Sequence, residues 1–325
     1  MFPVILPPMK TLLPAIHLDL FSSLPCGRQA GRVDASTLPV NPMREFSNYV
    51  FDFYGTLVDV HTDENKPSLW RFMADFYAAY GCLLDADDLR GAFWHIDAQE
   101  REEARRRSGL EHSEIRIERV FLRLLLESPA RPCNMPIAGR PAADWRRRHA
   151  RNPESVLRAL QDGDWAAAAA NAFRIHSRDW LRPYPDTHPV LRELARRGKR
   201  IYLLTNAQGV FTRPEIAVTG LDAYFPAPRI SSESGMMKPR REFLDALLRD
   251  ENLDPRATVF VGNEMRSDMA LAVRCGVQGI YLNSAGTPEE TLRADAARLL
   301  AAEGADASAM PWLVSSGRLR DILPE

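Results

Sequence analysis

Short runs of apolar and β-branched residues recur through the second half of the chain: RIYLLT (200–205), RIS (229–231), TVFVG (258–262) and VQGIYLN (277–283). An earlier one, YVFDF, lies at 49–53. Runs this brief, without polar alternation, predict strands buried on both faces, as in a parallel sheet. Between them the spacing turns helical. HPVLRELARRG carries Pro189 near its start and Gly198 past its end, the asymmetry expected of a helix. RREFLDALLRD (240–250) and SDMALAVRCG (267–276) follow the same plan. Strand and helix in alternation predict an α/β fold with a doubly wound, Rossmann-like parallel sheet.

Residues 61–182 break the alternation and read as helices only. In PSLWRFMADFYAAYG, apolar side chains fall at Leu69, Trp70, Met73, Phe76, Tyr77 and Tyr80, a helical stripe. SEIRIERVFLRLLLE and DWAAAAANAFRIHSRDWL behave alike. The expected organisation is therefore a core of 43–60 and 183–325 with an all-helical domain, 61–182, inserted after the first strand. The crossings near 60–66 and 182–186 are candidate hinges. Residues 1–42 are proline-broken and turn-rich, and are expected to be a poorly structured extension, with Met43 a candidate start. The C-terminal stretch predicts a helix, a short edge strand at WLVSS and a last helix.

Composition removes several classes of function. The chain has 325 residues, 45% hydrophobic, with a net charge of −1, so no overall field points to nucleic acid or an anionic membrane. No apolar run approaches the roughly 18 residues of a membrane span. Four scattered cysteines without a metal-like pairing suit reduced thiols in a cytoplasm. The arginine-rich runs 101–107 and 146–151 read as solvated helix faces. Only four of the 42 basic residues are lysines: Lys10, Lys66, Lys199 and Lys238.

In an open α/β sheet, ligands bind beyond the carboxyl ends of the strands. The first strand delivers Asp52 there, and the second Thr205 and Asn206. Lys238 comes next, in SGMMKPR, and TVFVG leads to Asn263, Glu264 and Asp268. An acid, a hydroxyl, a lysine and a second acidic cluster, each after a strand, suit a carboxylate nucleophile that forms and then loses a covalent intermediate. Against a phosphate dianion, Asp52 needs cations. Lys238 supplies one, and Mg²⁺ held by Asp52 and Asp268 supplies another. Thr205, Asn206 and Lys238 are the expected substrate contacts.

DFYGTLVD, LLTNA, the KP of Lys238 and VGNEMRSD, in this order, resemble the four motifs of the haloacid dehalogenase superfamily of hydrolases. The resemblance covers 48–60 and 183 to about 290, with the helical insert where many members carry a cap. It implies Asp52 as nucleophile, Thr205 and Lys238 on the phosphoryl group or its equivalent, and a metal on Asp52, Asp268 and the main-chain carbonyl of Tyr54. Asn263 stands where phosphatases of the family usually have an acid, and Glu264 beside it is the candidate replacement. It also implies a small-molecule substrate, phosphorylated if the chain is a phosphatase.

Tyr54 stands where phosphatases of this family place a general acid. True 2-haloacid dehalogenases resemble this chain in having tyrosine there, and a halide leaves without a proton. The fourth motif and LLTNA instead resemble the Mg²⁺-dependent phosphatases. An acyl or phenyl phosphate reconciles the two, because such groups leave with little protonation. Three readings stay open: a Mg²⁺-dependent phosphatase, a 2-haloacid dehalogenase and a catalytically silent binding module. Oligomeric state is not legible.

Overall fold

The computed structural model describes residues 45–110 and 113–323; the expected extension at 1–42 lies outside them. In chain order the first elements are β1 (Asn48–Phe51), β2 (Val58–Thr62), α1 (Pro67–Ala78), α2 (Ala86–Ser108) and α3 (Ile117–Glu127). Then come β3 (Pro136–Ile137), β4 (Arg140–Pro141), α4 (Ala142–His149), α5 (Pro153–Leu160), α6 (Asp164–Ser177) and β5 (Arg178–Pro183). The remainder is α7 (Thr187–Arg196), β6 (Arg200–Thr205), α8 (Gly209–Val218), β7 (Arg229–Ile230), α9 (Ser231–Ser234) and α10 (Arg241–Asp250), followed by β8 (Thr258–Gly262), α11 (Ala270–Cys275), β9 (Gln278–Leu282), α12 (Glu289–Glu303) and β10 (Trp312–Val314).

Six strands form one parallel sheet in the order β10-β9-β8-β1-β6-β7. Side chains alternate between its two covered faces. Tyr49 and Phe51 of β1 pack with Val190, Leu191, Leu194 and Ile216 of α7 and α8. Val50, between them, packs with Phe243, Leu244 and Leu247 of α10 and with α11. The chain leaves β1 toward β6 on one side and returns to β8 on the other. The switch point, where a crevice opens, therefore lies at the carboxyl end of β1.

The helices α1 to α6 build a separate apolar cluster around Trp70, Phe93, Phe121 and Phe173. The helices-only reading of 61–182 needs correction in two places. β2 and β5 pair as an antiparallel ribbon, so RDWL is strand, and the near ends of the two expected hinges, Val60 to Thr62 and Arg182 to Pro183, lie within that ribbon. Polar, half-exposed sequences such as RDWLRP carry no helical or strand period that would have marked them. A small hairpin, β3–β4, is the second exception. At the C-terminus, WLVSS yields the edge strand β10, but the last helix is only a 3₁₀ turn, Leu319–Ile322. Among the described residues, no helix is long and apolar enough to cross a membrane.

Candidate active site

Asp52 is the first residue past β1, and its N–H donates to the carbonyl of Val261 on β8 at 2.9 Å. The chain then turns tightly, with the N–H of Gly55 on the carbonyl of Val58 (2.8 Å) and that of Leu57 on Phe53 (2.8 Å). Gly55 holds φ +74°, and a Cβ there would lie 2.3 Å from Nδ2 of Asn263. Only glycine permits both the turn and the approach of the loop after β8.

That loop delivers Asp268 from a π-helical turn, Met265–Met269. Oδ2 of Asp268 accepts the N–H groups of Asn263 and Glu264, each at 3.0 Å. A Cβ on Gly262 would lie 2.3 Å from the same oxygen, so the glycine ending β8 lets this carboxylate fold back over the strand.

Lys238 joins the two acids. Its Nζ lies 2.6 Å from Oδ1 of Asp52 and 2.7 Å from Oδ1 of Asp268. All three are buried, at 3%, 7% and 0% exposure respectively, so these charges meet with little water between them. Burial alone would lower the pKa of Lys238, but Asp268 and Asp52 outweigh it and hold the amine above its ordinary range. Burial pushes Asp268 up to about 7 against the pull of Lys238, with Asp52 adding to the rise.

Thr205 ends β6 and is 1% exposed, yet its Oγ1 has no hydrogen-bond partner. A buried hydroxyl without a partner is costly unless something else bonds it. Asn206 behaves otherwise. Its Oδ1 accepts the N–H of Lys238 (2.7 Å) and its Nδ2 donates to the carbonyl of Lys238 (3.0 Å). The Asn206 amide thus clamps the lysine's backbone, which fixes the position of Lys238.

Glu264 is exposed, and its carboxylate accepts from Ser267 Oγ (2.7 Å) in its own loop while its N–H bonds Asp268. Among the described residues, no three His, Cys, Asp or Glu side chains are grouped to hold a metal. Tyr54 does not offer its phenol to Asp52. Its Oη donates to Glu215 Oε2 at 2.5 Å and lies 3.1 Å from Thr212 Oγ1. Burial, then the Glu215 carboxylate, raises the phenol well above its usual pKa. Asn263, marked only as a departure from the motif, accepts from Thr56 Oγ1 (3.2 Å) and clips the loop after β1 to the loop after β8.

Sequence reading missed the residues that connect the site to the helical insert. Gln208, three residues past Thr205, accepts the N–H of Ile117 (2.9 Å) and donates to the carbonyl of Ile115 (3.1 Å). Glu114 accepts from Ser231 Oγ at 2.5 Å. Glu215 on α8 meets Arg174 of α6 and Arg178 of β5. The one available signal was a lone acid in the mostly apolar GVFTRPEIAV, a helix that Gly209 and Pro214 had obscured.

A family model described as a hydrolase, haloacid dehalogenase-like hydrolase, matches residues 47–276. A glyceraldehyde 3-phosphate phosphatase of Methanothermobacter thermautotrophicus is 29% identical over 110 residues, 34% of this chain and 49% of that protein. A phosphoserine phosphatase of Thermus thermophilus is 29% identical over 107 residues, 33% of this chain and 43% of that protein. The chain thus spans less than half the length of either relative. A solved structure of a 2-haloacid dehalogenase from Pseudomonas syringae pv. Tomato DC3000 is 20% identical, covering 75% of this chain and 89% of that one, with a TM-score of 0.47.

Proposed function

Because the chain belongs to the haloacid dehalogenase-like hydrolases, we propose that it is a phosphatase whose Asp52 attacks the phosphorus of a small phosphorylated metabolite. The carboxylate oxygen forms a bond to phosphorus, and the ester or anhydride oxygen leaves with the bond electrons. Water then cleaves the aspartyl phosphate, regenerating Asp52 and releasing inorganic phosphate. Lys238 offsets the repulsion between Asp52 and the incoming dianion. The Thr205 hydroxyl donates to a phosphoryl oxygen as charge redistributes. The observation that carries this reading is the Lys238 ammonium bonded to both Asp52 and Asp268, with a buried hydroxyl that bonds nothing at the end of β6, the strand beside β1. The phosphatase names of the curated relatives agree with it.

The donor set suits Mg²⁺, which commonly takes one or two carboxylates and keeps several waters. Asp52, Asp268 and the main-chain carbonyl of Tyr54 are the residues to hold it, with Glu264 as a further candidate. Bound there, the cation supplies positive charge for the phosphoryl oxygens and the carboxylate pair.

With the Tyr54 phenol committed to Glu215, the site has no acid at that position to protonate a leaving group. Acyl and aryl phosphates, whose leaving groups depart with little protonation, are therefore the preferred substrate class. The same feature favours a second reading, a 2-haloacid dehalogenase, because halide needs no proton either. One assay separates them. Purified protein, with and without Mg²⁺, is offered acetyl phosphate, p-nitrophenyl phosphate, alkyl phosphates and L-2-chloropropionate. Phosphate release abolished by chelator, and fastest on the first two, is the expected result. Chloride release indifferent to chelator selects the dehalogenase, and silence on every substrate selects a binding module.

A further inference from the structure

The phosphatase chemistry leaves the side chains of Tyr54 and Glu215 without a task, although both are held by strong contacts. Glu215 is 2% exposed. Its Oε1 accepts from Arg174 Nε (2.7 Å) and Arg178 Nη1 (2.8 Å). Its Oε2 accepts from Arg174 Nη2 (3.1 Å) and from the Tyr54 hydroxyl (2.5 Å). The Arg174 guanidinium also lies 5.5 Å from the centre of the Tyr54 ring and 5.4 Å from that of Phe211. Burial alone would raise the Glu215 carboxyl, but Arg174 outweighs it and holds the group below the usual range.

These partners come from three separate parts of the chain. Arg174 and Arg178 sit where α6 passes into β5, at the base of the helical insert. Glu215 and Thr212 belong to α8, behind the end of β6. Tyr54 belongs to the tight turn that begins two residues after Asp52. A simple stabilising role is better filled by apolar side chains, because a buried ion pair gains little over them. What a single carboxylate adds to the apolar packing of Val210 and Phe211 against the insert is directional registration of the three elements at one point. The turn after Asp52 is short and internally bonded, so a shift at Tyr54 is transmitted to Asp52.

We propose that Glu215 is a positioning residue, a clasp that fixes the helical insert to the turn carrying Asp52 through Arg174 and Arg178 on one side and Tyr54 on the other. Tyr54 then acts through its hydroxyl as the near end of the clasp and transfers no proton in the reaction. The proposal rests on the hydrolase reading of Asp52, so its test has one arm that needs no turnover.

The test uses the full chain, with Glu215→Gln, Tyr54→Phe and, as control, Asp52→Asn. Amide hydrogen exchange is followed in peptides covering 174–183 and 52–58, and kcat and KM are measured on p-nitrophenyl phosphate with Mg²⁺. Glu215→Gln is expected to speed exchange in both peptides, leave 241–250 unchanged, and lower kcat about 10-fold or more with little change in KM. Tyr54→Phe, which removes only the hydroxyl and should fold whatever Glu215→Gln does, is expected to give a smaller effect of the same kind. Its pH profile should superimpose on that of the parent after scaling. Exchange in 174–183 and 52–58 equal to the parent in both variants overturns the clasp. So does a Tyr54→Phe profile that loses its acidic or basic limb. If the parent, like Asp52→Asn, releases no phosphate, the proposed function fails, and the exchange arm alone decides the clasp.

Discussion

Lys238 and Asp52 are separated by 186 residues of chain, yet Nζ of one lies 2.6 Å from Oδ1 of the other with almost no solvent between them. The same ammonium holds Asp268 at 2.7 Å. Removing one member of a buried ionic group leaves the others without compensation and typically costs about 3–5 kcal/mol. Lys238→Met is therefore expected to lose that order of stability in urea denaturation, together with all phosphate release. Millimolar Mg²⁺ should return part of the stability, since a cation that binds the folded state alone shifts the equilibrium toward it. A variant as stable as the parent would show that the lysine does not neutralise the pair.

Thr205 should separate stability from activity. Its hydroxyl is buried and bonds nothing in the protein. Thr205→Val keeps the branched shape and removes the unsatisfied oxygen, so the melting temperature should hold or rise. Phosphate release should nonetheless fall by roughly 10²-fold, the usual effect of losing one donor to a developing charge. A variant that keeps full activity would take Thr205 out of the site.

Asn206 makes the opposite prediction. Its amide closes two hydrogen bonds on the backbone of Lys238, one through each polar atom. Asn206→Ala should lower kcat by letting the lysine wander, and should destabilise the protein by about 1–3 kcal/mol through the two unpaired backbone groups. Raised KM with unchanged stability would mean that the amide serves the substrate instead.

These three residues show which part of the site was legible. Asp52, Thr205 and Asp268 could be placed from strand ends, because short apolar runs mark the strands and a switch-point sheet gathers the residues just beyond their carboxyl ends. The direction of a side chain in the loop beyond is a different matter. Asn206 turns to Lys238 and Glu264 turns to Ser267 because of hydrogen-bond partners 32 and 3 residues away, which no local pattern announces. The ribbon of β2 and β5 was hidden for a related reason. It is a two-stranded element in which only Val58 is fully buried, so the apolar–polar alternation in VDVHT is too short to mark a strand. Glu215 was hidden by Pro214 and Gly209, which read as breakers although Gly209–Val218 is helical in the fold.

Glu114 gives a prediction about pH. Its carboxyl accepts from Ser231 Oγ (2.5 Å), Gln208 Nε2 (3.2 Å) and the Ile115 N–H (3.0 Å), where the helical insert meets the loops after β6 and β7. Burial raises its pKa, despite these donors and the nearby Arg101. A carboxyl with a raised pKa in the fold favours the neutral form there. Its contribution to stability is complete below the unfolded value and is lost as pH rises through the folded one. Glu114→Gln copies the neutral acid. Its amide oxygen can accept from Gln208 and Ile115. Its NH₂ can donate to Ser231 Oγ, which is free to give its own proton to the carbonyl of Ala207 at 3.1 Å. The variant should therefore melt higher than the parent at pH 8, by roughly 2 °C, with the gain shrinking to nothing near pH 4. Melting curves of both proteins across that range decide it. A variant that is less stable at pH 8 than at pH 4, relative to the parent, would mean that the ionised carboxylate is the form the interface uses.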